Sequence, residues 1–566
     1  MNQLLRILIH GAATGLAIFL SASCTKEPGS VSDEGGNTPS LTVTPEVLTF
    51  EAPASSQELT ISASGTYIGR SDDSWCTISQ TKVSVLENTT GADRSTRLTI
   101  RLADGSLTRT VSVTQKKGDA DPTPTPPTPD VPSDRFADTG KDVPAYPSYN
   151  KVEKLEDFPR IDITTDDGQP VSSKTTYKTG KITFKDPAGM YSEVKELANL
   201  TMKIRGRGNT TWNNGDLGWG RYKNPYRLKL DVHSKPFGMK GDKDWLLMAD
   251  LQDPTLLRNA VAQRISRLVS MPWTPRFRCV ELYINGAYQG CYWLYEAKEA
   301  DRENKVPVTP VTTETDGGYY LEIDDKSDED LYFHTATFGK QVKYKDPESP
   351  TQAQRTFIES YINNVESRLK AKKFTGSGSY KELVELDTFI NQYLVQEVSK
   401  NVDGNMRLSS YFAKDKDTKL FMPFCWDFDL AFGNASYLKN DFYLTTNGPT
   451  GWFVKIRGGY PHEDYGRKRT YYQYMFEDPE FVQALKDRWT VVKPRLDLIP
   501  QFIDKMVEYN ELAFDHNYKS GKVSTSRTTD WRRSVSELKS FYTQRISWLD
   551  GKIKALKASD DIETDR

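Results

Sequence analysis

The sequence predicts a multidomain chain: a small all-β sandwich followed by one large α/β or α+β domain. Three observations carry this. Residues 41 to 115 are short runs of alternating apolar and polar residues, punctuated by Gly, Asp and Ser, with no helical segment among them. A stretch rich in Pro and Thr, "GDADPTPTPPTPDVPSD", comes next; such composition favours extended, semi-rigid polyproline II and marks a boundary. Beyond it, strand-like runs give way to apolar stripes at helical spacing, in a chain whose 566 residues exceed one ordinary core.

In chain order, the opening "MNQLLRILIHGAATGLAIFLSASC" has Arg6, an apolar run of about a dozen residues, small residues and then Cys24. This is the layout of a bacterial secretory signal. Leu20 and Ser21-Ala22-Ser23 before Cys24 resemble a loose lipobox, so residues 1–24 are expected to be a lipoprotein signal peptide, with Cys24 lipidated and the mature chain anchored to a membrane. The apolar run is shorter than a spanning helix needs. Residues 25–40 have no periodic apolar face and read as a flexible tether. The other four cysteines, Cys76, Cys279, Cys291 and Cys425, show no CxxC and no zinc spacing, and read as buried thiols with at most one disulfide among them. With 75 basic and 77 acidic residues the net charge is −2, so no global field attracts nucleic acid, and any phosphate chemistry must be local.

Residues 41–117 form the sandwich and 118–145 the linker. In the large domain, 146–566, strand-like runs are "RIDITTDDG", "GKITFKD", "LTMKIRGRGNTTW", "PYRLKLDV", "DWLLMAD", "FRCVELYING" and "YQGCYWLYEAKE". One amphipathic helix is expected after Asp253, with Leu257, Val261, Ile265 and Leu268 on one face. The second half is expected to be mainly helical, with stripes at Phe357, Ile358, Tyr361, Ile362, Val365 and Leu369, and at Phe389, Ile390, Tyr393, Leu394 and Val398.

The chemistry concentrates in "KNVDGNMRLSSYFAKDKDTKLFMPFCWDFDLAFGN", which sets Asp403, Asp427 and Asp429 among apolar and aromatic residues. Two strand-like arms, "LSSYFA" and "KLFMPFCWDF", flank a polar turn, and Leu420, Met422, Phe424 and Trp426 alternate with their neighbours. A hairpin would bring Asp427 and Asp429 back beside Asp403. Clustered carboxylates repel, and burying them without a cation costs several kcal/mol. A divalent cation resolves this, and Mg²⁺ prefers one or two carboxylates plus water and phosphates. Asp427 and Asp429 are therefore candidate metal ligands, with Asp403 placed to orient or deprotonate an attacking hydroxyl. Spacing alone serves equally well a reading in which Asp403 caps a turn and the other two end a strand. On a strand Asp427 and Asp429 would face opposite ways, a poor start for the acid and nucleophile of a glycosidase.

For the phosphates the upstream strands offer Arg205, Arg207, Arg227 and Lys229. Alternation in "YRLKLD" sets Lys229 opposite Tyr226, Leu228 and Leu230, where it can project as a point charge, with Glu296 as its partner. Gly206 and Gly208 flank Arg207 and allow close approach of an anion, and Asn209 could fix that turn. No GxGxxG after a strand, GxxxxGK[ST], HRD or APE occurs, which excludes a standard kinase or P-loop enzyme.

Two resemblances follow. "LTVTPEVLTF", "SDDSWCTIS" and "TVSVTQKKG" resemble the BACON family of immunoglobulin-like modules. That implies carbohydrate or mucin binding, or a spacer role; Trp75 is either a sugar-stacking ring or, as is usual in a sandwich, core. "RGRGNTTW", "NPYRLKLD", "FGMKGDKDWLLMADLQDPTLLRNAVA", "NGAYQGCYWLYE", "KNVDGNMRLSSYF" and "WDFDLAFGN", in that order, closely resemble the CotH family of atypical kinases, and "QRISWLDGKI" also fits. This resemblance implies a diverged protein-kinase-like fold and transfer of the ATP γ-phosphate to protein serine or threonine with Mg²⁺. By position it makes Asp403 the loop aspartate needed for activity and Asp427 the metal aspartate of the WDxD motif. Close relatives of the spore-coat kinase carry an Asn shortly after the loop aspartate; here the place holds "NMRLSS", where Asn405 or Asn401 substitutes as a metal ligand or the metal binding differs.

Three function classes remain at this point: an extracytoplasmic protein kinase acting on an unidentified protein, a catalytically inactive kinase-like adhesin or glycan-binding lipoprotein, and a structural lipoprotein of the envelope. The aspartates favour the first. The BACON-like module, the lipidation signal and the scarcity of ATP outside the cytoplasm favour the second.

Overall fold

The computed structural model describes residues 39–73, 75–88, 92–117, 136–208, 211–212, 223–325, 331–404, 406–416, 418–435, 448–455, 469, 471–522 and 530–558. Cys24, Asn209 and Asn405 lie outside them. The chain divides into two compact units, Met1–Val131 and Pro132–Arg566.

The regular elements among the described residues of the first unit are nine strands, β1 (Leu41–Thr44), β2 (Val47–Phe50), β3 (Ser55–Glu58), β4 (Thr60–Ala63), β5 (Tyr67–Ser71), β6 (Cys76–Ser79), β7 (Lys82–Val85), β8 (Arg94–Leu102) and β9 (Thr108–Gln115). They form sheets in the orders β2-β9-β8-β5, β3-β7-β6 and β1-β4. Period-two alternation sends Leu98, Ile100, Val111 and Val113 inward against Leu48, Phe50, Cys76 and Val83. Trp75 packs on this core, with the Arg94 guanidinium 4.4 Å over its ring. A cation already covers one of its faces.

The larger unit is built on a closed barrel of β10 (Arg160–Thr165), β11 (Lys178–Lys185), β12 (Glu196–Gly206), β13 (Tyr226–Ser234), β14 (Asp242–Met248), β15 (Phe277–Ile284) and β16 (Ala287–Glu296). These match the seven strand-like runs of the sequence. The order is β10-β11-β12-β13-β14-β16-β15, closed by parallel pairing of β10 with β15. Each strand sends alternate residues inside, among them Ile161, Phe184, Met202, Leu228, Trp245, Leu282 and Leu294. Burying each such side chain stabilises by roughly 1.5–3 kcal/mol. On the outer wall of β14 to β16 the intervening residues, Leu246, Cys291, Trp293 and Tyr295, join a second core shared with the helices. Cys76, Cys279, Cys291 and Cys425 are buried and free, with Cys279 Sγ 3.1 Å from Cys291 Sγ.

Helix α1 (Arg258–Leu268) connects β14 to β15. A second sheet, in the order β18-β19-β17-β20, comprises β17 (Tyr319–Ile323), β18 (Tyr332–His334), β19 (Gln341–Asp346) and β20 (Ser410–Lys414). The sequence reading missed its first three strands. Helix α2 (Gln352–Lys370) opens with a capping box between Thr351 and Gln354. Helix α3 (Leu386–Ser399) is buried nearly all round and runs through the core. Then come α4 (Tyr471–Met475), α5 (Pro479–Leu496), α6 (Ile499–Lys519) and α7 (Trp531–Lys554).

The linker expected to run to residue 145 ends earlier. Asp138 accepts hydrogen bonds from Arg495 (2.6 and 2.7 Å), Arg488 (3.2 Å) and Ser270 (2.7 Å), which hold its carboxyl well below the usual range. Residues 136–145 therefore belong to the large unit.

Among the described residues no helix is long and apolar enough to cross a membrane.

Candidate functional site

Three connections deliver side chains to one cavity of about 180 Å³. The first leaves β14. Asp250 takes a left-handed φ of 46°, and its Oδ1 accepts from Asn259 Nδ2 (3.1 Å), while its buried Oδ2 has no partner among the described residues. Asp253 is buried at the head of α1 and pairs with Arg258 (2.5 Å). Arg258 in turn donates to the carbonyl of Ala431 (3.1 Å), and Asn259 Oδ1 accepts from Phe428 N (2.9 Å). The residues of "ADLQDPTLLRN" thus clamp the segment that carries Asp427 and Asp429.

The second connection leaves α3. Lys400 ends the helix in the left-handed region, and the chain turns through Asn401 to Asp403. Asn401 is buried; its Oδ1 accepts from Asp403 N (3.3 Å) and its Nδ2 donates to Asp427 O (3.0 Å). One amide side chain therefore fixes both aspartate backbones.

The third is the extended run from Leu420 to Asp429. The expected hairpin shrinks to a single bridge, Ala413 with Phe421, so the second arm is not a strand. Its residues from Leu420 to Trp426 are all buried, because α3 and the barrel wall enclose both sides. Asp427 has φ 72° and receives Ser409 Oγ at 3.2 Å. That left-handed turn breaks the pleat, and both Asp427 and Asp429 line the cavity instead of facing opposite ways. Left-handed conformations cost a non-glycine residue about 1–2 kcal/mol. Three cavity residues, Asp250, Ser409 and Asp427, adopt one, as strained residues at functional sites do.

Asp250, Asp403, Asp427 and Asp429 share the cavity with Arg207, Gly208, Lys298, Glu322 and Asp324. Burial, reinforced by the charges of Asp427, Asp403 and Asp250, pushes the Asp429 carboxyl well above its ordinary value. Burial and then Asp253 push Asp250 up to about 7, against the pull of Lys223. Burial draws Lys298 down to about 8, with Glu322 opposing and Arg207 assisting. Lys298 Nζ lies 2.5 Å from Tyr411 OH and 4.6 and 4.9 Å from the ring centres of Tyr411 and Trp426; Tyr411 OH donates to Glu322 (2.6 Å).

Of the residues singled out in the sequence, Arg207, Asp403, Asp427 and Asp429 are brought together in this cavity. Lys229 and Glu296 are not. Lys229 is 53% exposed on the outer face of β13, 3.9 Å from Asp244, because Leu228 and Leu230 take the barrel interior. Glu296 is buried where β15 begins, accepting from Arg276 N (2.8 Å). The lysine that joins Arg207 in the cavity is Lys298, two residues past Glu296, which sequence reasoning passed over. Asp250 sat within a quoted motif. Glu322 and Asp324 were announced only by the acidic end of "YYLEIDD".

Among the described residues no three His, Cys, Asp or Glu side chains converge tightly enough to hold a metal ion unaided. One or two carboxylates, with water and phosphate oxygens completing the shell, is the arrangement Mg²⁺ prefers. The unpartnered Asp250 Oδ2 and the crowding on Asp429 fit a cation there.

A family model described as CotH kinase protein matches residues 204–549, more than half of the chain. The chain belongs to that family. A second model, BACON, described as a putative N-terminal binding domain, matches residues 65–116. No curated protein matches the chain. Among solved structures, a Bacteroides ovatus GH5 xyloglucanase in complex with a XXXG heptasaccharide is 16% identical over 24% of this chain and 29% of its own, with a TM-score of 0.13. The D00-D0 domain of intimin is 10% identical over 30% of this chain and 74% of its own, with a TM-score of 0.11. At such TM-scores neither likeness bears on fold or function.

Proposed function

We propose that the large unit is a kinase-like phosphotransferase that moves the γ-phosphate of ATP, with Mg²⁺, to a serine or threonine of a protein. The observation that carries this is the gathering of Asp403, Asp427, Asp429 and Asp250 with Arg207 and Lys298 in one cavity of a CotH-family chain. Asp427, with Asp429 or Asp250, would hold the cation, which supplies charge neutralisation at the phosphates. Arg207 and Lys298 face the remaining phosphate charge, Arg207 as a planar fork and Lys298 as a point charge. Asp403 orients the acceptor hydroxyl and takes its proton. Desolvation of Lys298 strengthens its attraction for an anion, since fewer waters compete for it.

The test separates two roles. Asp427→Ala should remove Mg²⁺-dependent nucleotide binding and transfer together. Asp403→Ala should keep nucleotide binding and lower turnover by about two or more powers of ten, the scale of losing a positioned base. Equal nucleotide binding by the parent and the Asp427 variant would remove the metal reading and favour an inactive surface adhesin. On this proposal the protein works in the cell envelope, held by lipid on Cys24. Cys24→Ala should then abolish lipid labelling and release it from membranes; continued membrane retention would refute the anchor.

A further inference from the structure

A second cavity, of about 210 Å³, lies in the large unit and is lined by Arg264, Arg267, Arg276 and Arg278 together with Gln263, Thr274, Tyr149, Phe277 and Phe502. Its position follows from two periodicities. Arg264 and Arg267, three apart, share a face of α1, and Arg276 and Arg278, two apart, share a face where β15 begins. Four guanidiniums therefore meet on rigid elements.

Their partners do not balance them. Arg278 donates to the Phe237 and Phe277 carbonyls (3.2 and 2.9 Å) and to Tyr149 OH (3.3 Å). Arg276 has Glu296, at 3.5 Å. Arg264 is only 8% exposed, its guanidinium lies 5.5 Å over the Phe502 ring, and its Nε and Nη2 have no hydrogen-bond partner among the described residues. Gln263 Oε1 beside it is also unpartnered. Burial first and then Arg267 pull Arg264 down to about 10, and Arg276 adds to the same effect on Arg267. Leaving a buried guanidinium unpaired beside like charges costs several kcal/mol, and a purely structural arginine would face a carboxylate here. Planar forks converging on one small space match a tetrahedral oxyanion, which accepts two bonds per fork. The volume is below the roughly 300–1,000 Å³ of drug-sized sites, so the occupant is small.

We propose that this cavity binds a small, doubly charged oxyanion of the phosphate class, held by Arg264, Arg267, Arg276 and Arg278 and separate from the carboxylate-lined site. The same chemistry can arrive as free phosphate or as phosphate carried on a seryl side chain. Titration calorimetry of the full chain in low-chloride buffer, with inorganic phosphate in one arm and O-phospho-L-serine in the other, distinguishes them. At least one probe should bind saturably at one site. Charge-assisted bonds imply a loss of about tenfold or more per guanidinium, so Arg264→Gln with Arg267→Gln should weaken binding about a hundredfold. Lys229→Gln, on the exposed outer face of β13 and in neither cavity, should leave it unchanged. Tighter phosphate assigns the free ion; tighter phosphoserine assigns a phosphorylated chain. If the double variant does not fold, Arg276→Gln, whose side chain is 36% exposed, carries the same expectation of about tenfold. Failure of both probes to saturate below about 10 mM, or equal affinity in parent and folded variant, overturns the proposal.

Discussion

Replacing Arg545 with methionine should be among the most damaging single changes in the large unit. Arg545, on α7, is fully buried and pairs with Glu397, 1% exposed, at 2.6 Å. Its Nε and Nη2 also donate to the Glu397 carbonyl (3.1 and 2.8 Å), and its Nη1 to the Pro449 and Gly451 carbonyls (3.1 and 2.7 Å). Glu397 accepts further from Phe453 N (2.7 Å), Lys455 N (3.0 Å) and Tyr393 OH (3.0 Å). Methionine keeps much of the volume but leaves a buried carboxylate with neutral donors only, and it strips the Glu397, Pro449 and Gly451 carbonyls of their partner. Removing one member of such a pair costs about 3–5 kcal/mol. Adding Glu397→Gln to Arg545→Met should recover about 1–3 kcal/mol, because no unpaired charge remains. Urea unfolding followed by tryptophan fluorescence measures this, with Trp452 and Trp548 packed 5.2 Å apart as nearby reporters. A loss below about 1 kcal/mol for Arg545→Met would refute the reasoning. Since Glu397 stands one turn before the loop that carries Asp403, any folded Arg545 variant should also lose turnover.

Two more outcomes are expected. Lys298→Met should weaken nucleotide binding about tenfold, the scale of one charge-assisted bond, with the melting temperature nearly unchanged because Lys298 is already desolvated; equal affinity would remove it from the phosphate site. Burial, with Glu348 adding, raises Asp346 to about 6, above its ordinary 3.8, so its contribution is fully present below pH 4 and fades as pH rises through 6. Asp346→Asn should then gain on the parent by roughly 1–2 kcal/mol between pH 4 and 7, after screening, and parallel stability curves over that range would contradict it.

The strands of the barrel were legible because alternation is written into runs such as Ile161 to Thr165 and Tyr226 to Leu230, and α1 to α3 because their stripes repeat at helical spacing. Closure of the barrel was not, since pairing Arg160 with Glu281 joins segments 121 residues apart and leaves no local mark. Strands β17 and β19 were missed because Tyr319 to Leu321 and Gln341 to Tyr344 are all buried, so no alternation shows, and β18 is only three residues long. In the site, Asp403 and Asp427 stood out as acids in apolar surroundings. Lys229 was misplaced because alternation separates two faces without saying which one solvent takes. Lys298 and Asp250 come from other connections, and only the folded chain brings them in.

The clasp at Asp138 decides where tension enters the large unit. Anything that pulls on the chain from before Pro132 is met by Arg488 and Arg495 on α5 and by Ser270, just past the end of α1. Asn259, which holds the aspartate segment, sits at the other end of that helix, about 16 Å away. A pull from that side is thus taken up by a charged fastening, and one path from it to the carboxylates runs along a helix that yields little along its axis.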